Sequence, residues 1–162
     1  MATKHDFHKV IIGRSEVLTF VGTEAVNVPA KTDTGAYRSA VHATNIVEEN
    51  GVLSFDLLGG HPVCGAMTHR IVAEEFQKVW IANSFGHREE RYEVKLKVKV
   101  GPKVFHARFT LADRSKKIYP ILLGRKLLNG RFLVDSQETS LDRITLKQQY
   151  GIEFPADEEE GR

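Results

Sequence analysis

At 162 residues, with 41% hydrophobic and 27% charged residues, the chain has the composition of one globular domain able to bury its own core. A formal net charge of +2, carried by basic residues spread along the sequence, gives no sign of the basic stripe of a nucleic-acid binder, so no nucleic-acid partner is expected. The lone Cys64 excludes an internal disulfide framework. No apolar run approaches the ~20 residues of a membrane helix and no signal-peptide core is present, which predicts a cytoplasmic protein without a membrane partner.

Residues 1–7 read as an N-terminal arm, followed by a domain over 8–142. Short strands are expected near 9–12, 16–21 and 25–32, the last running into Asp33-Thr34-Gly35, and again near 51–58. Gly59-Gly60, Pro62 and Gly65 crowd the next stretch, so residues from about 56 to 80 are expected to form an irregular insertion. Asn83-Ser84-Phe85-Gly86-His87 suits a hairpin tip. From 92 to 100 the chain alternates: Tyr92, Val94, Leu96, Val98 and Val100 share one face, and Glu93, Lys95, Lys97 and Lys99 the other. Gly101-Pro102 makes a turn, and Phe105, Ala107, Phe109 and Leu111 then alternate, so 92–111 is expected to be a β-hairpin. Gly124–Asn129 is the one stretch suited to a short helix, and Arg131–Val134 reads as a late strand. Residues 143–162 form a C-terminal segment whose acidic end, Asp157-Glu158-Glu159-Glu160, is expected to fray.

Asp33-Thr34-Gly35 is the motif with chemical content. In an aspartic protease this tripeptide places a carboxylate on a tight loop facing its twin. Gly permits the close backbone approach, and the Thr hydroxyl can lock two loops together. Alone, Asp-Thr-Gly is also a good turn sequence. The order of elements adds weight: after it come the 83–87 tip, the 92–111 hairpin and Ile121-Leu122-Leu123-Gly124-Arg125.

That order resembles a retropepsin monomer: catalytic loop, flap, hairpin, then a hydrophobic-hydrophobic-Gly segment threading behind the loop. The phrase Ala30 to Ala36 with Ser39-Ala40 and His42-Ala43, Gly86-His87-Arg88-Glu89-Glu90-Arg91-Tyr92, and Leu122-Leu123-Gly124-Arg125 with Gly130 to Asp135 are similar to one bacterial family. It goes under the name of ATP-dependent zinc proteases and is better described as retropepsin-like. The resemblance covers roughly residues 8 to 140. It implies an all-β acid-protease barrel, one lobe per chain, active as a homodimer. It also implies Asp33, Thr34 and Gly35 as the catalytic loop, with Ala36, Arg38, Ser84, Phe85, Gly86, His87 and Arg125 against a peptide. Some relatives accompany ATP-grasp ligases that add glutamate to protein tails, which suggests a ligase partner and glutamate-rich substrates. In retroviral relatives the Arg after the Gly pairs with an acid four residues beyond the catalytic Asp; that position is Tyr37 here. Arg125 therefore either pairs elsewhere, with Asp113 or Asp135 as candidates, or binds a substrate carboxylate, helped by Arg38. Lys31 and Arg88 add positive charge near the same elements.

The zinc and ATP in the family's name find little in the residues. No phosphate-cradling Gly-x-x-x-x-Gly-Lys-Ser/Thr is present, and His87-Arg88-Glu89-Glu90 lacks the spacing of a zinc-protease helix. His61, Cys64 and His69 have the right chemistry for zinc, but spacing offers no fourth ligand, so loop histidines and a small buried thiol are preferred and no cofactor is expected. His42 is read as structural. The leading expectation is an aspartic endopeptidase; the alternatives are a non-proteolytic binding or regulatory module of a glutamate ligase or its product, and a zinc hydrolase.

Overall fold

A computed structural model describes residues 9–82, 85–139 and 142–151. The N-terminal arm, Asn83, Ser84 and the acidic end at 157–160 lie outside them. In chain order the elements are β1 (Val10–Ile12), β2 (Ser15–Phe20), β3 (Val28–Thr32), β4 (Ser39–Glu49), β5 (Val52–Leu57), β6 (His69–Ala73), β7 (Phe76–Ala82), β8 (Arg88–Val100), β9 (Lys103–Ala112), β10 (Ile121–Leu123), α1 (Arg125–Leu128), β11 (Phe132–Val134) and α2 (Arg143–Tyr150). No described helix is long and apolar enough to cross a membrane.

The strands close on themselves. β10 pairs with β3, β3 with β2, β2 with β8, β8 with β9, β9 with β4, and β4 returns to β10. This closed six-stranded barrel is the all-β architecture expected, and closure leaves no open edge among those six strands. β5 and β6 extend the sheet beyond β4, β7 extends β8, and β1 pairs in parallel with β11 as a separate ribbon.

The 92–111 hairpin forms as predicted, turning at Gly101, whose φ of 56° suits glycine. Val94, Val98 and Val100 point inward with Leu18, Phe20, Phe109 and Leu111, and the Phe20 and Phe109 rings meet edge-on at 5.7 Å. Lys95, Lys97 and Lys99 point outward. The antiparallel register sets Arg108 against Lys95 and His106 against Lys97. Basic residues scattered in sequence are thus gathered on one outer face, contrary to the expectation that they do not cluster. Glu93, placed by alternation on that polar face, is buried.

Three further expectations change. The stretch 59–80 is not irregular throughout, since it holds β6 and β7; β7 pairs with β8 from Phe76↔Val94 to Ala82↔Arg88, so residues 83–87 do join two hairpin strands. β4 arises where no strand was expected. A second helix, α2, is capped by Asp142 accepting from Thr145 N–H and by Gly151 in the left-handed region, and buries Leu146 against Val63, Ile118 and Tyr119.

Candidate active site

β10 threads between β3 and β4, the strands on either side of residues 33–38. It runs parallel to β3 (Leu123↔Thr32) and antiparallel to β4 (Leu122↔Ala40). Asp33 N–H donates to Leu123 O at 2.9 Å, Arg125 N–H to Ala36 O at 2.8 Å, and Lys126 N–H to Tyr37 O at 2.9 Å. Gly124 N–H donates to Ser39 Oγ at 3.0 Å, and Arg125 Nη1 to Thr34 O at 3.0 Å. The loop is therefore bound to the 123–126 segment along its whole length. Gly124 is required by packing: a Cβ there would lie 2.5 Å from Arg38 O and 2.9 Å from Tyr37 O.

Within the loop, Gly35 N–H donates to Asp33 Oδ1 at 2.9 Å. This bond orients the carboxylate and leaves Oδ2 without a hydrogen bond among the described residues. Asp33 is half-buried, while Thr34 and Gly35 are exposed. The Thr34 hydroxyl makes no hydrogen bond to any described residue, so it is free to face outward.

Tyr37, 52% exposed, lies among cations: the Arg38 and Arg125 guanidinium carbons are each 5.8 Å from its ring centroid and the Lys126 ammonium is 5.9 Å away. Among the described residues Arg125 pairs with neither Asp113 nor Asp135. Asp113 instead accepts from Ser115, and Asp135 from Gln137 N–H. Arg38, in contrast, is held by Glu93, Nη1 to Oε2 at 2.7 Å, with Gln77 donating to the other oxygen at 2.6 Å. The charge of Arg38 is thereby matched, whereas Arg125 and Lys126, also beside the loop, form no ion pair among the described residues. Sequence reasoning missed Glu93, Gln77 and Lys126. Glu93 in particular gave no signal, because it fits the polar side of a regular alternation.

Glu93 and Gln77 face each other across the β7–β8 pairing, so the hairpin's base is tied to the Asp33 loop through Arg38. The tip, with Phe85 84% exposed, is carried about 20 Å along the strands from that rung. His87 is exposed, Arg88 stacks over Trp80 at 5.6 Å, and Ser84 lies outside the described residues.

Of the three candidate zinc donors, His69 lies on β6 opposite Leu57, and His61 and Cys64 are buried. His61 is buried: Val63 N–H donates to its Nδ1 at 3.1 Å, and its Nε2–H is shared by Arg114 O and Lys117 O at 3.0 and 2.9 Å. Burial pushes its pKa down to about 4. His42 Nδ1 likewise accepts from Arg114 N–H at 2.9 Å and Nε2 reaches Gly59 O at 2.8 Å. Burial pushes the Cys64 thiol up to about 12, away from the thiolate that zinc requires. Among the described residues no three His, Cys, Asp or Glu side chains gather as a metal site.

The comparisons with known proteins agree with this fold. The RimB-like family model, described as retropepsin-like aspartic endopeptidase RimB, matches residues 11–144. A Shewanella halifaxensis protein named "Probable alpha-L-glutamate ligase" is 28% identical over 155 residues, covering 90% of this chain and 33% of that protein. A Parasynechococcus marenigrum protein of the same name is 30% identical over 135 residues, covering 80% of this chain and 28% of that one. The chain thus spans about a third of the length of these curated relatives. Among solved structures, a Legionella pneumophila protein of unknown function superposes with a TM-score of 0.63 at 29% identity, covering 80% of this chain and 95% of that one. With a barrel of the right closure, a β10 segment threaded behind Asp33-Thr34-Gly35 and a family match over most of its length, this chain belongs to the RimB-like family of retropepsin-like proteins.

Proposed function

We propose that the chain is an aspartic endopeptidase in which Asp33 from each of two copies forms the catalytic dyad. The observation that carries this reading is Asp33 itself: one carboxylate oxygen is oriented by Gly35 N–H, the other has no hydrogen bond among the described residues, and the loop is bound to the 123–126 segment. Two such carboxylates brought together share one proton, because ionising both is costly at short range. The ionised member takes a proton from water as the resulting hydroxide attacks the scissile carbonyl. The protonated member hydrogen-bonds the carbonyl oxygen, and a proton passes to the departing amine. Arg125 and Lys126 favour a carboxylate-bearing peptide beside the loop, in keeping with relatives named for glutamate ligation.

The test is Asp33→Asn. The amide keeps the size of the side chain and cannot act as general base, so peptide hydrolysis should disappear while folding and assembly persist. Turnover at the wild-type rate would overturn the aspartic mechanism. A second reading, a binding module serving an ATP-grasp glutamate ligase, is favoured by one observation: the matched region is about a third of proteins named as ligases. On that reading Asp33→Asn leaves ligase association and ligase rate unchanged, and purified wild-type protein cleaves no glutamate-rich peptide.

A further inference from the structure

The lysines on the outer face of β8 take no part in the contacts of the Asp33 loop, yet they are arranged. Lys95, Lys97 and Lys99 occupy alternate positions of β8, and β9 places Arg108 and His106 opposite the first two. All five are exposed, and none forms an ion pair with a described residue. Other strand cations do have partners: Arg70 has Asp56, Lys78 has Glu48 and Glu90, and Arg38 has Glu93. Lys95 and Arg108 are like charges directly opposite each other, an arrangement that is destabilising on a sheet. In a chain of net charge +2, this face is a local concentration of uncompensated positive charge.

One end of the face reaches the catalytic loop. Glu93 precedes Lys95 by one step of the alternation and grips Arg38. From that rung to Lys99 is six residues, roughly 20 Å.

We infer that this stripe is an exosite holding an extended acidic segment of the polypeptide substrate as it leaves the Asp33 loop. The inference rests on reading that loop as a peptide-hydrolysing site. An extended peptide repeats its side chains on one face every ~6.8 Å, the same repeat as Lys95, Lys97 and Lys99, so acidic residues at alternate positions meet the lysines in step. Nucleic acid fits less well. No exposed aromatic ring stands among these cations to stack a base; Val104 is exposed there, while the Phe105 ring packs beneath the Arg131 guanidinium at 4.4 Å.

The experiment compares wild type with a full-length Lys95→Gln, Lys97→Gln, Arg108→Gln variant. Two peptides share a cleavage site, one ending just beyond it and one continuing into a glutamate decamer. The triple variant should raise KM about tenfold for the long peptide, leave kcat unchanged and leave the short peptide unaffected. The wild-type advantage for the long peptide should vanish in ~1 M salt, where the Debye length is ~3 Å. Equal KM for variant and wild type on the long peptide would overturn the exosite while leaving the protease standing. In parallel, fluorescence anisotropy with non-cleaving Asp33→Asn protein should show the labelled decamer bound more tightly than a glutamine decamer or a single-stranded RNA of equal length. Tighter RNA binding would overturn the choice of occupant. So would a large gain in decamer affinity on neutralising Asp157, Glu158, Glu159 and Glu160, which would make the chain's own end the occupant. If wild type cleaves nothing, the protease reading fails, and the anisotropy series still decides the exosite.

Discussion

Arg125 carries two duties that a single substitution can separate. Its Nη1 supports the Asp33 loop through Thr34 O, and its charge stands beside Tyr37 with no carboxylate among the described residues to match it. Losing a charge-assisted hydrogen bond to substrate costs roughly 1.5–3 kcal/mol, or about 10- to 150-fold. Arg125→Ala should therefore lower kcat/KM for acidic peptides by about that factor, with only a small loss of melting temperature. Lys126→Ala is the cleaner probe, because the ammonium forms no hydrogen bond to the loop, and it should weaken acidic peptides alone. A uniform loss on neutral and acidic peptides from Arg125→Ala, accompanied by a large fall in melting temperature, would return Arg125 to the scaffold. Arg38 is not equivalent to it. Glu93 matches its charge inside the fold, so Arg38→Ala would strand a buried carboxylate, and its effect would read as stability before specificity.

At the scale of elements, the hairpin was legible because from Val94 to Val100 β8 alternates between a buried or half-buried apolar face and an exposed lysine face. β4 was not: Ser39, Ala40, Val41, His42 and Ala43 are all buried, since this part of the strand lies between β9 and β10. Burial on both faces erases the period of two that sequence reasoning uses. In the stretch 59–80, glycines and a proline drew attention from the two short, half-exposed strands that follow them. The Asp-Thr-Gly loop and the segment behind it were legible because their chemistry is local. The Glu93–Arg38 pair joins residues 55 positions apart and follows from pairing alone. The two histidines show the same non-local logic, since together they pin residues 114–117 to the 59–63 turn. A proton on His61 Nδ1 would confront Val63 N–H, and burial holds the group at about 4 against 6.5 when exposed. The unfolded chain therefore takes up this proton first on acidification. His61 contributes its stability fully above pH 6.5 and loses it as the pH falls toward 4, by up to ~3 kcal/mol. Melting temperature should decline across that window, and His61→Gln should flatten the decline even if it lowers the whole curve. Asp113 and Asp142 are held below the usual carboxylate value by hydrogen bonds from Ser115 and Thr145, so they act only at lower pH and leave the window to His61. An unchanged slope in the variant would locate the acid sensitivity elsewhere.

For the molecule as a whole, the barrel holds one Asp-Thr-Gly loop among the described residues, so the proposed chemistry needs a second copy. Two surface features suit such a partner. The Thr34 hydroxyl is without a bond to any described residue at the tip of the Asp33 loop. On the β1–β11 ribbon, Ile11 and Leu133 face each other in register and are 66% and 46% exposed, an apolar pair whose burial would contribute to association. Sedimentation at micromolar protein should show a dimer or a monomer–dimer equilibrium, and specific activity should fall on dilution along the same curve. Mixing separates a shared dyad from mere self-association. Adding excess Asp33→Asn protein to a fixed amount of wild type should suppress activity, because wild-type chains are drawn into mixed dimers that hold a single carboxylate. If each chain worked alone, the added variant would be silent and specific activity would be constant at every concentration. Ile11→Asp should shift the equilibrium toward monomer and lower activity most at low protein concentration, with recovery as the concentration rises. A variant that stays dimeric would move the interface away from this ribbon without touching the dyad, whereas full activity in a strictly monomeric protein would remove the need for the dyad itself.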